Sequence, residues 1–264
     1  MFVTGQRTEL GIFKIMKVYY ATDIQLEHQG FDLACYYHCK KPLGLFIREF
    51  KTLIIDLNRD PEEILRSFNK KTRIQIEKAL TSKIIDFNVI ENPSEKELNA
   101  FYESYISFSA IKGFSPSSRQ HLEELKAADK LLIASASTEN ETLCQFALIK
   151  LTDKVVCSHA FNIRFAYLDD PEKVKLISQA NRALDYYCML YAKKIGKTFY
   201  DLCGLTIDPN NPSATNVDQY KMKFRGHIIK EYHFMKPLTS KGWLVCLMIQ
   251  LKRRFINPYF FSPQ

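Results

Sequence analysis

Two stretches decide the fold: Phe199-Tyr200-Asp201-Leu202-Cys203-Gly204, and Tyr220-Lys221-Met222-Lys223-Phe224-Arg225-Gly226. The first is an apolar run that ends in a carboxylate and a glycine, which is typical of a short buried strand opening onto a loop. The second places cations beside aromatic residues after a polar loop that holds Asn210-Asn211-Pro212. A cationic rim at the end of a strand favours a phosphate-bearing ligand, so we expect the functional site here.

The composition is that of a globular protein with a basic surface. The chain has 264 residues, of which 46% are hydrophobic and 25% are charged, and its formal net charge is +8. This charge favours a phosphate-bearing small-molecule or lipid-linked substrate, a nucleic acid or an anionic membrane surface as the partner. The first residues contain no apolar run after a basic start, so no signal or transit peptide is predicted and we expect a cytoplasmic protein.

Several function classes lack their sequence patterns. The histidines show no spacing for a catalytic triad, and the nine glycines form neither a P-loop nor a dinucleotide-binding pattern. The segment Cys35-Tyr36-Tyr37-His38-Cys39 resembles half of a metal site, but no second pair follows it, so we predict no metal site. Serine or cysteine hydrolysis, P-loop nucleotide hydrolysis and hydride transfer are therefore disfavoured.

The hydrophobic periodicity predicts an α+β order of elements. The N-terminal part contains short strand-like runs over 31–37, 43–49 and 53–57, the last two separated by Lys51. The elements that follow are a helix from Asp60-Pro61 to about Leu80 with a break, a strand over 84–90, a helix capped at Ser94, a polar helix to about Lys126, an antiparallel meander over 131–161, a long helix over 173–194, and strands over 198–202 and 228–234. We expect the long helix to cover the sheet.

The helix before Leu80 carries a row of basic residues opposite an apolar side. Its cations are Arg66, Lys70, Lys71, Arg73 and Lys78. Two interpretations remain open, a solvated basic face and a surface that contacts phosphates.

The C-terminal segment 241–264 is basic and aromatic. No acidic residue follows Glu231, and the apolar run over 243–249 is far shorter than the roughly 20 residues of a spanning helix. One interpretation is a helix in the membrane interface, peripheral on the inner face, with Trp243 and Tyr259-Phe260-Phe261 as anchors. The other is a helix that packs against the body of the protein.

Taken together, the chain resembles the FemAB-like branch of the GNAT acyltransferase superfamily over roughly residues 50 to 235. The matching stretches come in the order of the family: 53–57 with 71–79, then 180–184, 196–204, Tyr220-Lys221 and 224–226. The resemblance implies an α+β fold with a mixed, largely antiparallel sheet flanked by helices. It also implies an incomplete N-terminal GNAT-like half at 1–85, a fuller C-terminal acyltransferase domain at 86–240 and the tail at 241–264.

The resemblance further implies an N-acyltransferase that passes an acyl or aminoacyl group to an amine of a cell-envelope or surface-polysaccharide precursor, without a covalent enzyme intermediate. No tightly bound cofactor is expected, and the donor would be acyl-CoA or aminoacyl-tRNA. The Phe-Lys dipeptide of the family matches Tyr220-Lys221, which implies a catalytic role for Lys221, with a surface lysine as the alternative. Asp201 is the second catalytic candidate, with structural pairing as its competing interpretation. The predicted substrate-binding residues are Arg73, Arg182, Tyr220, Lys223 and Arg225.

One departure from the family concerns the donor. GNAT acetyltransferases hold the pyrophosphate of coenzyme A with a glycine-containing loop at the start of the long helix. The region taken as its counterpart, Gln179-Ala180-Asn181-Arg182-Ala183, contains no glycine, which disfavours acyl-CoA. The alternative function is a non-catalytic GNAT-fold protein that binds an anionic ligand or a membrane surface.

Overall fold

The computed structural model describes residues 2–7, 13–21, 30–205 and 212–255 of the chain. These residues belong to two compact units. The first comprises Met1–Lys51 with Ile229–Gln264, and the second comprises Thr52–Ile228. The division predicted from sequence, at residues 85 and 240, stays a prediction.

The described residues form strands and helices in a mixed α+β order. The strands are Phe2–Arg7 (β1), Lys14–Tyr19 (β2), Leu33–Cys39 (β3), Leu45–Asp56 (β4), Asp86–Glu91 (β5), Leu131–Ser137 (β6), Thr142–Lys150 (β7), Lys154–Asn162 (β8), Phe199–Leu205 (β9) and His227–Pro237 (β10). The helices are Pro61–Ser67 (α1), Lys70–Thr81 (α2), Glu95–Lys112 (α3), Arg119–Ala127 (α4), Pro171–Lys194 (α5), Pro212–Met222 (α6) and Ser240–Phe255 (α7), with a 3-10 turn at Ile163–Ala166.

In the second unit the strands follow the order β4, β9, β8, β7, β6, β5. The pairs of β5 with β6, β6 with β7 and β7 with β8 are antiparallel, whereas β8 and β9 are parallel. The predicted meander over 131–161 is therefore confirmed, and the crossover from β8 to β9 runs through α5. A crossover helix is what a parallel neighbour requires, because a tight turn can join only antiparallel strands.

The core of this unit lies between the sheet and α5. Leu184 and Met189 of α5 are fully buried with Tyr200 of β9 and Phe146 of β7. Each such side chain contributes about 1.5–3 kcal/mol when it leaves water. The prediction that the long helix covers the sheet is confirmed.

Local sequence signals explain where several helices begin and end. The predicted break before Leu80 lies at Phe68 and Asn69, where Phe68 is extended and the side chain of Asn69 accepts a hydrogen bond of 3.0 Å from the Lys71 amide to cap α2. At Ser94 the predicted capping box is present, because its hydroxyl accepts from the Glu97 amide and the Glu97 carboxylate accepts from the Ser94 amide.

In the first unit the strand order is β1, β2, β3, β10, β4. β2 pairs with β3 in parallel, and β10 pairs with β3 in antiparallel orientation. Helix α7 contacts β3, with Val245 and Cys246 packed on Leu33 and Met235. Gly242 makes this contact possible, since a Cβ there would lie 1.8 Å from the Asp32 carbonyl oxygen.

Two predictions at the element level are wrong, and two strands were not predicted at all. The runs 43–49 and 53–57 form one strand, β4, because Lys51 keeps its side chain partly exposed and needs no break. The polar stretch before Tyr220 is helical from Pro212 onward, as α6, whereas residues 206–211 lie outside the described residues. The strands β1 and β2 were not expected.

Candidate active site

The parallel pair β8 and β9 opens towards the C-terminal ends of both strands. Their residues pair only from Lys154 with Phe199 to Val156 with Asp201, although β8 continues to Asn162 and β9 to Leu205. Ser158 contributes to the separation as a bulge, because Cys157 and His159 pair with successive residues of β7. Beyond Val156 and Asp201 the two strands therefore no longer pair with each other. We call the opening between their C-terminal ends the cleft.

The end of β9 is bent by a strained residue. Cys203 has a left-handed φ of 62°, a conformation that costs a residue with a side chain about 1 kcal/mol or more. The carboxylate of Asp201 offsets this strain by accepting a hydrogen bond of 2.8 Å from the Cys203 amide. The carbonyl of Gly204 follows directly and accepts from Lys221 Nζ at 2.7 Å.

Asp201 is embedded in structural contacts. It is 1% exposed, forms an ion pair of 2.7 Å with Lys154 Nζ, and accepts a short hydrogen bond from the Thr52 hydroxyl. A buried carboxylate is stable only with such partners. The contacts of Asp201 therefore stabilise the end of β9. Its predicted catalytic role stays a prediction.

Lys221 lies in the last turn of α6, beside the open end of β9. Its ammonium group uses one of its three N–H donors on the Gly204 carbonyl, and its side chain is partly exposed. Neighbouring Phe224 is 1% exposed and packs edge-on against Phe68, with ring centroids 5.1 Å apart. The packed aromatic residue keeps the lysine at a defined position next to the cleft.

A buried polar network lies beneath Lys221, and sequence reasoning missed it. The carboxylate of Asp185, on α5, is 2% exposed and accepts hydrogen bonds from Tyr220 Oη at 2.5 Å and Tyr200 Oη at 3.3 Å. Asn181, one turn earlier on α5, donates from Nδ2 to Tyr220 Oη at 2.7 Å. The only sequence signal is an Asp inside the apolar run of the long helix.

Burial controls the protonation of this carboxyl group. Desolvation raises the pKa of Asp185 to about 7, although the hydroxyls of Tyr220 and Tyr200 and the charge of Lys221 favour the ionised form. At neutral pH the group can therefore both accept and release a proton. A carboxyl with this property beside a cleft is a candidate for acid–base chemistry.

A cationic groove of about 810 Å³ lies next to this network, between α2 and α5. Its lining contains six cations and no carboxylate: Lys70, Lys71, Lys78, Lys175, Arg182 and Lys223. Lys175 also pairs with Glu172 at 3.1 Å, whereas the guanidinium of Arg182 stacks on the Tyr220 ring at 5.2 Å. The groove therefore connects through Arg182 to the turn that carries Lys221.

The predicted substrate-binding residues occupy different places. Arg182 and Lys223 line the groove, and Tyr220 joins the buried network. Arg73 lies on α2 outside the groove lining, 3.9 Å from the Glu77 carboxylate, and Arg225 is exposed with a left-handed φ of 51°. Their roles in binding stay predictions.

The predicted position of a pyrophosphate loop at Gln179-Ala180-Asn181-Arg182-Ala183 is wrong. These residues lie inside α5, about two turns after its first residue Pro171, so their amides are used within the helix. The true start of α5 is acidic. Asp170 caps the amide of Lys173 at 3.0 Å, Pro171 has no N–H and Glu172 follows. The acidic cap, Glu172 and the missing N–H of Pro171 make this helix terminus unfavourable for a phosphate group.

The described residues form neither a candidate metal centre nor a candidate membrane span. No group of three or more His, Cys, Asp or Glu side chains among them is arranged to hold a metal ion. None of the described helices combines the length and the apolar character needed to cross a bilayer.

Comparison with solved structures identifies the fold. The crystal structure of FemX aligns with a TM-score of 0.56 at 12% sequence identity, covering 74% of this chain and 63% of FemX. The chain has the fold of FemX. The structure of L-PGS from Bacillus licheniformis aligns with a TM-score of 0.51 at 16% identity, covering 84% of this chain and 73% of that one. The predicted FemAB-like, mixed α+β fold is confirmed.

The similarity is structural. No protein-family model matches the chain, and no curated protein matches it in sequence. The chain spans 63% of the length of FemX. Activity, substrates and partners therefore have to be argued from the site itself.

Proposed function

We propose that this protein is an N-acyltransferase that transfers an aminoacyl group from an RNA-linked ester to an amine of a cell-envelope precursor. The observation that carries the proposal is the position of Lys221, whose ammonium group lies 2.7 Å from the Gly204 carbonyl at the open end of β8 and β9. A cation fixed beside an open strand end suits the stabilisation of a developing oxyanion.

The proposed reaction needs no enzyme nucleophile. The acceptor nitrogen attacks the ester carbonyl, and the carbonyl oxygen becomes an oxyanion that Lys221 stabilises. The C–O bond to the donor then breaks, the donor oxygen takes up a proton and the nitrogen loses one. The enzyme must orient the two substrates and supply charge, and mutational studies of similar oxyanion contacts give effects of about 10²–10³ in kcat.

Two features support an RNA-linked donor over acyl-CoA. The acidic start of α5, with Asp170 as its cap, disfavours a pyrophosphate at the position where a helix terminus would otherwise bind one. The groove between α2 and α5 instead offers six cations in about 810 Å³, which suits several successive phosphates of a nucleic-acid backbone. Donor phosphates in the groove would lie next to Arg182 and Tyr220.

Helix α7 supports a lipid-linked acceptor and peripheral attachment to a membrane. One face of this helix exposes five large apolar side chains, each 45–55% exposed: Trp243, Leu244, Leu247, Met248 and Leu251. The chain after Glu231 contains cations and no acidic residue. An apolar stripe in a basic segment favours the interface of an anionic bilayer.

The test is a transfer assay with two donors. The protein is incubated with radiolabelled aminoacyl-tRNA or acyl-CoA and with lipid-linked or nucleotide-linked amino acceptors. We expect transfer from the RNA donor, a loss of about 10²-fold in kcat for Lys221→Ala, and no change for Lys194→Ala, an exposed lysine on α5. Full activity of Lys221→Ala would refute the catalytic role of this lysine.

The exposed face of α7 also favours a second candidate, a non-catalytic protein that binds an anionic membrane surface. The same assay separates the two candidates. Absence of turnover with every donor, together with vesicle binding that depends on α7, would favour the second candidate over the first.

A further inference from the structure

Asp185 and Tyr220 form a pair that the reaction above leaves without a role. The carboxylate is 2% exposed, and both of the hydrogen bonds described for it come from tyrosine hydroxyls. A buried carboxylate held only by neutral donors is costly, because hydroxyls compensate little of its lost hydration. Burial of this kind favours the protonated form of the carboxyl group.

The hydrogen bonds around Tyr220 have a defined direction. Asn181 Nδ2 donates to Tyr220 Oη at 2.7 Å, and the hydroxyl has two acceptors, Asp185 Oδ2 at 2.5 Å and the Asn181 carbonyl oxygen at 3.4 Å. The carboxylate oxygen is much the nearer of the two, so the hydroxyl proton points to Asp185. Asn181 is itself oriented by Asn162, whose Nδ2 donates to Asn181 Oδ1 at 3.3 Å. The hydroxyl oxygen thus sits between a fixed donor and a buried acceptor.

Tyr220 lies between the two parts of the proposed site. It is partly exposed and precedes Lys221, the cation assigned to the oxyanion. On its other side, Arg182 covers the ring at 5.2 Å from the groove. A substrate that contacts both Lys221 and the groove would therefore lie close to Tyr220.

We propose that Tyr220 and Asp185 accept the proton that the acceptor amine loses during transfer, an inference that rests on the proposed function. The amine nitrogen passes its proton to Tyr220 Oη as the C–N bond forms, and Tyr220 passes its own proton to Asp185 Oδ2. Tyr220 is the catalytic residue, because it touches the amine. Asp185 is the positioning residue behind it and returns the proton to solvent after product release.

Several other groups face this carboxyl from the surrounding elements and influence its titration. They are Arg182 and Cys188 on α5, Cys144 on β7, Cys157 on β8, Tyr200 on β9, and Tyr220 and Lys221 on α6. Burial raises the pKa of the three thiols, so they stay neutral at working pH. Asp185 is therefore the group in this cluster whose pKa is placed near neutrality.

The kinetic test compares three variants over pH 5 to about 9. In the wild-type protein we expect kcat to fall about tenfold per pH unit below an apparent pKa near 7. Asp185→Asn and Tyr220→Phe should lower kcat about 10²-fold at pH 8, abolish this limb and leave KM within about threefold. The proposal would be overturned if the variants lowered kcat by the same factor at every pH and kept the decrease of kcat below pH 7.

Tyr200→Phe is the matched control. It removes the other hydroxyl from the same carboxylate, at 3.3 Å, and leaves the path through Tyr220 intact. Because that hydroxyl favours the ionised form, its loss should move the limb to higher pH and keep the maximal rate within about twofold. A loss of maximal rate equal to that of Tyr220→Phe would contradict the assignment of Tyr220.

A measurement without substrate separates this inference from the proposed function. Proteins labelled with ¹³C at the Asp carboxyl and the Tyr Cζ are titrated by NMR, and Asp185→Asn and Tyr220→Phe identify the signals. We expect the Asp185 signal to titrate with a midpoint of about 7. The Tyr220 signal should follow the same midpoint through its hydrogen bond while the phenol stays protonated, because burial raises the pKa of Tyr220 well above its ordinary value. An Asp185 carboxyl still ionised at pH 5, or a Tyr220 signal that does not follow it, overturns the pair. Absence of transfer by the wild-type protein overturns only the proposed reaction.

Discussion

Tyr220 donates a hydrogen bond of 2.5 Å to the buried carboxylate of Asp185, 35 residues earlier in the chain. This contact joins the last turn of α6 to the middle of α5, so the two residues at the proposed site depend on one tertiary arrangement. Lys221 lies in the same turn of α6 and donates a hydrogen bond to the Gly204 carbonyl of β9. Three elements therefore converge on the site, and each can be tested separately.

Asp185 should make the stability of the protein decrease as the pH rises. Its pKa is about 7 in the folded state and 3.8 as the ordinary value, so the folded state binds one more proton between these values. The contribution of Asp185 to the free energy of unfolding is then most favourable below about pH 4. It falls by up to about 1.4 kcal/mol per pH unit between pH 4 and pH 7 and is constant above that range.

The measurement is urea unfolding of the wild-type protein and Asp185→Asn at pH 5, 6, 7 and 8. The difference between the two proteins removes the contributions of other groups, including His159, whose pKa is lowered to about 4 by burial. We expect the free energy of unfolding of the wild-type protein, relative to that of Asp185→Asn, to decrease from pH 5 to pH 7. A difference independent of pH would show that Asp185 is ionised throughout.

Asp201→Asn should destabilise the protein because it removes the buried negative charge that lies 2.7 Å from Lys154 Nζ. The ion pair of 2.7 Å is largely buried, with side-chain exposures of 12% and 2%, and breaking one partner of such a pair costs about 3–5 kcal/mol. The double variant Asp201→Asn with Lys154→Met should recover most of this loss in urea unfolding. If the double variant is stable but inactive in transfer, Asp201 has a catalytic role beyond its structural contacts.

The groove between α2 and α5 should determine affinity for an RNA donor and its salt dependence. Lys70→Ala and Lys78→Ala each remove one lining cation, so each should weaken tRNA binding severalfold and lower the slope of log K against log salt by about 1. Filter binding at several salt concentrations measures both effects. Lys96→Ala, an exposed lysine on α3, is the control, and an equal effect there would indicate that only net charge matters.

The exposed face of α7 should bind anionic vesicles. Trp243→Ser with Leu247→Ser removes two of its apolar side chains. We therefore expect the affinity for phosphatidylglycerol vesicles, measured by sedimentation, to fall at least about tenfold. Leu168→Ser is the control, since this leucine is 67% exposed in the other compact unit. Binding unchanged by the double variant would refute the membrane contact of α7.

The local signals of the chain predicted much of the fold. The cap at Ser94, the meander over β6 to β8 and the length of α5 all follow from residue order within a few turns. Such features are encoded by neighbours in sequence, which is why periodicity and capping patterns identify them.

Helix α6 shows where local signals fail. More than half of its residues from Pro212 to Met222 are polar, with Ser, Thr, Asn and Asp among them, and these four residue types favour turns as much as helices. The helix is stabilised by tertiary contacts instead. Tyr220 bonds to Asp185, and Phe224 just after the helix packs on Phe68.

By itself the sequence determined the buried strand that ends at Gly204, the long helix α5 and the row of cations before Leu80. It also placed Lys221 in a family pattern, and the fold of FemX agrees with that pattern. Only the tertiary structure decided that Lys221 donates a hydrogen bond to Gly204 and that Tyr220 donates one to Asp185. It also decided that cations from separate segments line one groove. The physical reason is that helix and strand periods specify which face of an element is buried, whereas the partner on the other side depends on how distant elements pack.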